Sequence, residues 1–190
     1  MDEGAIRYER FIDGDKNAFE ELMNMYHDSL ILFVNGYVRN LTIAEDIAID
    51  TFAELVIKKK RHTGKATFKT FLFTVAKNKA FDYLRRESRR KTIPIDDFME
   101  IRDETESLEE KVLKDERMRF FNNVMYKINQ QQREVLYLLY IEGMSYAEIA
   151  SILGKSKKQV DHLIQNAKRA LKIILEKENY DYNVGQKRFQ

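Results

Sequence analysis

Three acidic residues, Asp46, Asp50 and Glu54, recur at four-residue steps, and carboxylates at that spacing share one side of a helix. Paired carboxylates can hold a divalent cation for phosphodiester cleavage, and the neighbours Glu20 and Glu21 offer a second pair. Carboxylates in line on one helix do not converge on a point, and no His or Lys joins either pair in the pattern, so no catalytic chemistry, metal or cofactor is expected. Like charges four residues apart cost a helix about 0.2–0.5 kcal/mol per pair. A cationic protein partner would offset that cost, and a plainly solvated side would tolerate it.

A second series has the opposite character. Lys69, Phe73, Lys77, Phe81 and Arg85 also recur every four residues. Cations in line can track phosphates, and rings between them can stack on unpaired bases at about 1–3 kcal/mol each. Aromatic stripes more often complete a hydrophobic core, which is the competing reading for the two rings. A third group lies near the C-terminus. There Lys157, Lys158, Asp161, His162 and Gln165 would share one helix side, with Lys155, Lys168 and Arg169 flanking it. Lys and Gln can read base edges in the major groove, and the flanking cations can meet phosphates.

These residues sit in a chain of 190 residues whose 33 basic and 31 acidic side chains nearly cancel, at +2. The sum hides segregation. Residues 1–57 carry 4 basic and 12 acidic residues, a net of −8, whereas residues 58–91 carry 13 and 2, a net of +11. Residues 92–117 return to −6, with 4 basic and 10 acidic. A block as basic as 58–91 calls for an anionic partner, most often nucleic acid. The absence of Cys excludes disulfides and thiolate metal sites, and one Pro with seven Gly argues against a β-sandwich or barrel. No apolar run approaches the ~18 residues of a membrane span, so no membrane insertion is expected and the location is taken as cytoplasmic.

The elements that must carry these residues are helical throughout. Apolar stripes run from Phe19 to Tyr37, from Ala44 to Val56, from Phe68 to Tyr83 and from Val160 to Ile174. Capping boxes are predicted at Thr42 with Glu45, Ser107 with Glu110, Ser145 with Glu148, and Ser156 with Gln159. The expected fold is all-α, with two small helical domains, residues 1–91 and 107–177, joined by an acidic linker over 92–106. A tail, 178–190, follows. Fully extended, the 15 linker residues reach about 50 Å, or roughly fifteen base pairs of duplex. The second domain reads as a helix-turn-helix. A short helix over Tyr146–Leu153 packs through Ile149, Ala150 and Leu153, with Ala147 and Ala150 small enough for close approach. Gly154 ends it, and the following helix presents its N-terminal part to a major groove.

Taken together, the motifs resemble those of a known family. Ala44-Glu45-Asp46-Ile47 through Thr51-Phe52 resembles the polymerase-binding helix of bacterial sigma factors. Phe68-Lys69-Thr70-Phe71-Leu72 through Ala76-Lys77-Asn78, then Phe81-Asp82-Tyr83-Leu84-Arg85-Arg86, resembles their promoter-melting helix. Gln132-Arg133-Glu134-Val135-Leu136 and Glu142-Gly143-Met144-Ser145-Tyr146-Ala147-Glu148-Ile149-Ala150 resemble their −35-reading domain. The length and two-domain plan are similar to those of the small extracytoplasmic-function (ECF) group of the sigma-70 family. Ile49 stands where that family usually has Gln, Phe71 where Trp is common, and Lys158-Gln159 where Gly-Thr is usual.

The resemblance implies a division of labour. Asp46, Asp50 and Glu54 would bind core RNA polymerase. Arg61, His62, Lys65, Lys69, Lys77, Asn78, Arg85 and Arg86 would hold the single-stranded −10 element, with the loop from Arg61 to Thr67 beside an unstacked base. Lys155, Lys157, Lys158, Gln159, His162, Gln165, Lys168 and Arg169 would bind −35 duplex DNA. The acidic linker would lie in a basic polymerase channel, and an anti-sigma factor is a further implied partner. The alternative is a helix-turn-helix regulator acting alone, which would have no need of the +11 block.

Overall fold

The computed structural model describes residues 2–59, 64, 66–90, 124–125 and 127–177. The predicted linker, tail and Ser107–Glu110 cap lie outside these residues, as do Arg61, His62 and Lys65. Seven α-helices and one π-turn occur among the described residues, with no strand.

The first group begins with a helix the apolar stripes did not announce, α1 (Glu3–Ile12). The Asp2 carboxylate caps it, accepting from Ala5 N at 2.9 Å. Its other oxygen accepts from Phe68 N at 2.8 Å, so one side chain fixes two helix starts. Helix α2 (Lys16–Val38) is capped by Asp15, and its stripe buries Leu22, Leu30, Phe33, Val34 and Tyr37. Helix α3 (Leu41–Lys58) corrects one expectation: the cap is Asn40, whose side chain accepts from Ile43 N at 3.0 Å, and Thr42 lies inside the first turn. The helix starts one residue earlier than a Thr42 cap requires, because the Asn carboxamide already satisfies an orphan N–H. Helix α4 (Phe68–Arg90) packs Phe68, Leu72, Phe73, Ala76 and Ala80 inward.

In the second group, α5 (Gln130–Leu136) opens with a capping box of Asn129 and Gln132. A π-turn over Tyr137–Ile141 follows directly. Helix α6 (Tyr146–Leu153) and helix α7 (Lys157–Lys177) form the helix-turn-helix. The predicted boxes at Ser145 and Ser156 are both made, with Ser145 N donating to Glu148 at 2.9 Å and Ser156 N to Gln159 at 2.8 Å. Gly154 closes α6 at φ +64°, a conformation that costs residues with a Cβ. Ile149, Ala150 and Ile152 are buried and Leu153 half-buried, whereas Ala147 is exposed and takes no part in the close approach expected of it.

The two groups pack against each other. Buried residues of both belong to one apolar cluster, in which the rings of Phe33 and Tyr137 lie 6.2 Å apart. Helix α6 lies along α4, and α5 lies against α2.

Candidate nucleic-acid interface

Helix α7 has the buried and exposed sides expected from its apolar stripe. Val160, Ile164 and Ala167 face inward, leaving Lys157, Lys158, Gln159, Asp161, His162 and Gln165 exposed along its N-terminal half. His162 and Asn166 are hydrogen-bonded through Nδ1 and Nδ2 at 3.1 Å, which orients the imidazole along the helix. Lys168 and Arg169 are exposed, and Lys155 is half-buried. Lys168 stands over the Tyr140 ring at 5.7 Å, and its pKa is raised by a hydrogen bond to that hydroxyl. Two Lys at the helix start with two amide side chains near them can meet phosphates and base edges together.

Helix α4 departs from the expectation of one open basic side. Phe73 is fully buried, so the core reading holds for it, whereas Phe81 is 42% exposed with its ring against Tyr37 at 5.3 Å. Lys69 Nζ reaches the Glu142 carboxylate at 2.6 Å and the Glu142 carbonyl at 2.8 Å. Lys77 Nζ donates to the carbonyl of Ile152 at 2.9 Å. Burial, and then the neighbouring charge of Lys155, lower the pKa of Lys77. Asn78, Arg85 and Arg86 remain exposed on the same helix. The sequence-predicted strand-binding residues are therefore divided into a docked pair and an exposed set. What docks Lys69 and Lys77 is contact with residues 73 and 75 positions away, which no local pattern encodes.

The acidic side of α3 is also divided. Asp46 and Asp50 are exposed and form no ion pair among the described residues, beside the exposed apolar Ile49, Val56 and Ile57. Glu54 is already partnered, by Lys58 at 2.6 Å and Lys79 at 3.0 Å. Hydrogen bonds from Lys58 and then Lys79 hold its carboxyl below the ordinary carboxylate range. Among the described residues, no three His, Asp or Glu side chains gather where a metal ion could be held. No described helix is long and apolar enough to cross a membrane.

Comparisons with known proteins agree with the order of these elements. Residues 22–90 match the family description "Sigma-70 region 2", and residues 124–171 match "Sigma-70, region 4". The chain is 26% identical over 172 residues to the ECF RNA polymerase sigma factor BldN of Streptomyces coelicolor, spanning 88% of this chain and 64% of that relative. It is 26% identical over 161 residues to the RNA polymerase sigma factor YlaC of Bacillus subtilis, spanning 83% and 91%. The fold matches that of the sigma factor RpoE in complex with the anti-sigma factor NepR from Bartonella quintana. The TM-score is 0.62 at 22% identity, over 83% of this chain and 96% of that one. Region 2 falls on the first helical group and region 4 on the helix-turn-helix group. The chain belongs to the sigma-70 family of RNA polymerase sigma factors, in its extracytoplasmic-function group.

Proposed function

We propose that this protein is a dissociable initiation factor that binds core RNA polymerase and directs it to promoters. The observation that carries the reading is the pairing, in one chain and in order, of region 2 with region 4. Exposed Asp46 and Asp50, with Ile49, Val56 and Ile57 beside them, form an acidic and apolar surface for core polymerase. Glu54 positions that surface through Lys58 and Lys79 rather than meeting polymerase itself. The exposed side of α7 binds −35 duplex, led by Lys157, Lys158, Gln159, His162 and Gln165. Helix α4 binds the opened −10 strand through Asn78, Arg85 and Arg86, and through Lys69 and Lys77 once these are released. The factor performs no catalysis of its own and acts in the cytoplasm, where its polymerase and promoters are. An anti-sigma factor is a partner of the relative RpoE, and this chain takes one of the same class.

Run-off transcription with core polymerase and genomic fragments tests the reading. Discrete start sites that depend on adding this chain are expected. A chain that binds duplex DNA but neither associates with core polymerase nor supports any transcript would be the stand-alone regulator instead.

A further inference from the structure

We propose that Asn166 fixes the imidazole of His162 as a hydrogen-bond donor toward the major groove, so that this position of α7 selects guanine. The inference deepens the duplex-reading role proposed above and rests on it.

His162 is exposed in the N-terminal half of α7, the part of such a helix that meets base edges. Asn166 lies one turn further on and is half-buried, at the margin of the side that buries Ile164 and Ala167. Residues four apart on a helix are neighbours, and here the Asn166 amide nitrogen stands 3.1 Å from Nδ1 of His162. An amide NH2 group only donates, so Nδ1 accepts and carries no proton. The neutral ring then holds its one proton on Nε2, the nitrogen that does not face Asn166. The half-buried amide thereby settles what the exposed ring offers a groove, which is one N–H and no acceptor.

The same chain contains the opposite case. At His27 the partner of Nδ1 is the carboxylate of Asp28, at 2.9 Å. An ionised carboxylate only accepts, so there Nδ1 keeps the proton. One ring type is thus set to opposite polarity by whether an amide nitrogen or a carboxylate faces it.

A donor of fixed polarity discriminates among bases. Guanine presents two acceptors, N7 and O6, side by side. Cytosine presents an amino donor, adenine an acceptor beside an amino donor, and thymine one acceptor beside its methyl group. A lone N–H therefore favours guanine. The neighbouring side chains have other preferences. Lys157 and Lys158 are flexible cations that phosphates attract as readily as bases do. Gln165 carries both a donor and an acceptor, the pattern that adenine matches, and Gln159 Oε1 already accepts from Ser156 N at 2.8 Å. Asp161 only accepts, which suits cytosine. His162 differs in being oriented by a side chain on the half-buried margin of its own helix.

The test offers the full chain a pool of duplexes randomised over one helical turn, about ten base pairs, and reads the bound sequences. It is run at about pH 8.5, where an ordinary imidazole is neutral. The parent should favour guanine over cytosine at one position by about two- to tenfold, as one hydrogen bond does. His162→Ala should lose that preference and keep the others. Asn166→Ala should also lose it without loss of thermal stability, because Ala is the better helix former. Asn166→Asp recreates the arrangement at His27, so Nδ1 donates and Nε2 becomes an acceptor. Preference at that one position should then move from guanine to the amino groups of cytosine or adenine. A purely structural Asn166 would change affinity without changing which base is chosen. Guanine retained in Asn166→Asp, or selected sequences unaltered by His162→Ala, overturns the inference and leaves duplex reading by α7 in place. A parent chain that selects no sequence at all removes the duplex-reading role and the inference with it.

Discussion

The hydroxyl of Tyr37 on α2 donates to the carboxyl of Glu134 on α5, joining the two helical groups at a buried point. Burial pushes the Glu134 pKa up to about 8, and Lys155 only partly counters it. Tyr137, Arg133 and Gln130 line the same small cavity of about 50 Å³, which has room for little more than a water molecule or two. A folded-state pKa above the unfolded value near 4.5 gives a contribution that is complete below pH 4.5 and is lost as the pH rises through about 8. The unfolding free energy from urea titrations should therefore fall between pH 5 and 8, by at most ~1.4 kcal/mol per pH unit from this one group. Glu134→Gln should flatten the profile over that window. A Gln variant with the parent's slope would place the titrating group elsewhere.

Two glycines on neighbouring helices should respond in opposite directions. A Cβ on Gly4 in α1 would lie 2.5 Å from the Tyr26 hydroxyl and 2.9 Å from Phe68 Cδ1. Overpacking of that kind costs about 1–3 kcal/mol, more than the ~1 kcal/mol Ala gains over Gly in a helix. Gly36 in α2 has nothing within 4 Å of its Cβ position, so only the helix gain remains. Gly4→Ala should lower Tm by a few degrees and Gly36→Ala should raise it slightly. Equal shifts in thermal unfolding would mean that α1 does not pack on Tyr26 and Phe68.

These contrasts show what the sequence could and could not reveal. Ser145 with Glu148 and Ser156 with Gln159 were legible because a capping box is complete within four residues. The α7 face was legible for the same reason: one helical period separates Val160, Ile164 and Ala167 from Lys157, Asp161 and His162. Helix α1 carries the same three-residue spacing in Ala5, Tyr8 and Phe11, but over ten residues that stripe is too short to stand out beside the longer ones. The fate of the α4 lysines depends on Glu142 and Ile152, which only the packing of two distant segments brings near. Phe73 and Phe81 occupy equivalent steps in the sequence, yet Phe73 packs on Phe33 and is buried whereas Phe81 meets Tyr37 and stays 42% exposed.

The acidic surface of α3 can be tested against its own neighbour. Asp46→Lys with Asp50→Lys should weaken association with core polymerase by at least about tenfold, as lost interfacial charge pairs do. Thermal stability should stay within ~0.5 kcal/mol of the parent, since both residues are exposed. Glu54→Gln should behave differently, costing stability through the lost Lys58 and Lys79 contacts and changing association less. Pull-down together with melting curves would separate the cases. Unchanged association after the double reversal would remove polymerase binding from this surface.

The start of α7 makes the sharpest claim about duplex DNA, because Lys157 and Lys158 are both exposed there. Binding of a phosphate by a lysine releases a condensed counterion, so affinity depends on salt in proportion to the phosphates met. Replacing both with Ala should weaken binding to −35 duplex and reduce the slope of log affinity against log salt by ~0.9 for each lysine that meets a phosphate. A Gln159→Ala change should instead leave the slope alone and alter the preference among duplex sequences, because an amide reads base edges and carries no charge. Because Gln159 also closes the Ser156 capping box, a Gln159→Glu control keeps the cap while abolishing amide readout. Titrations at several salt concentrations decide between the roles: a slope that survives the loss of both lysines would mean that the phosphates are held by Lys155, Lys168 or Arg169, and that the helix enters the groove at a different angle.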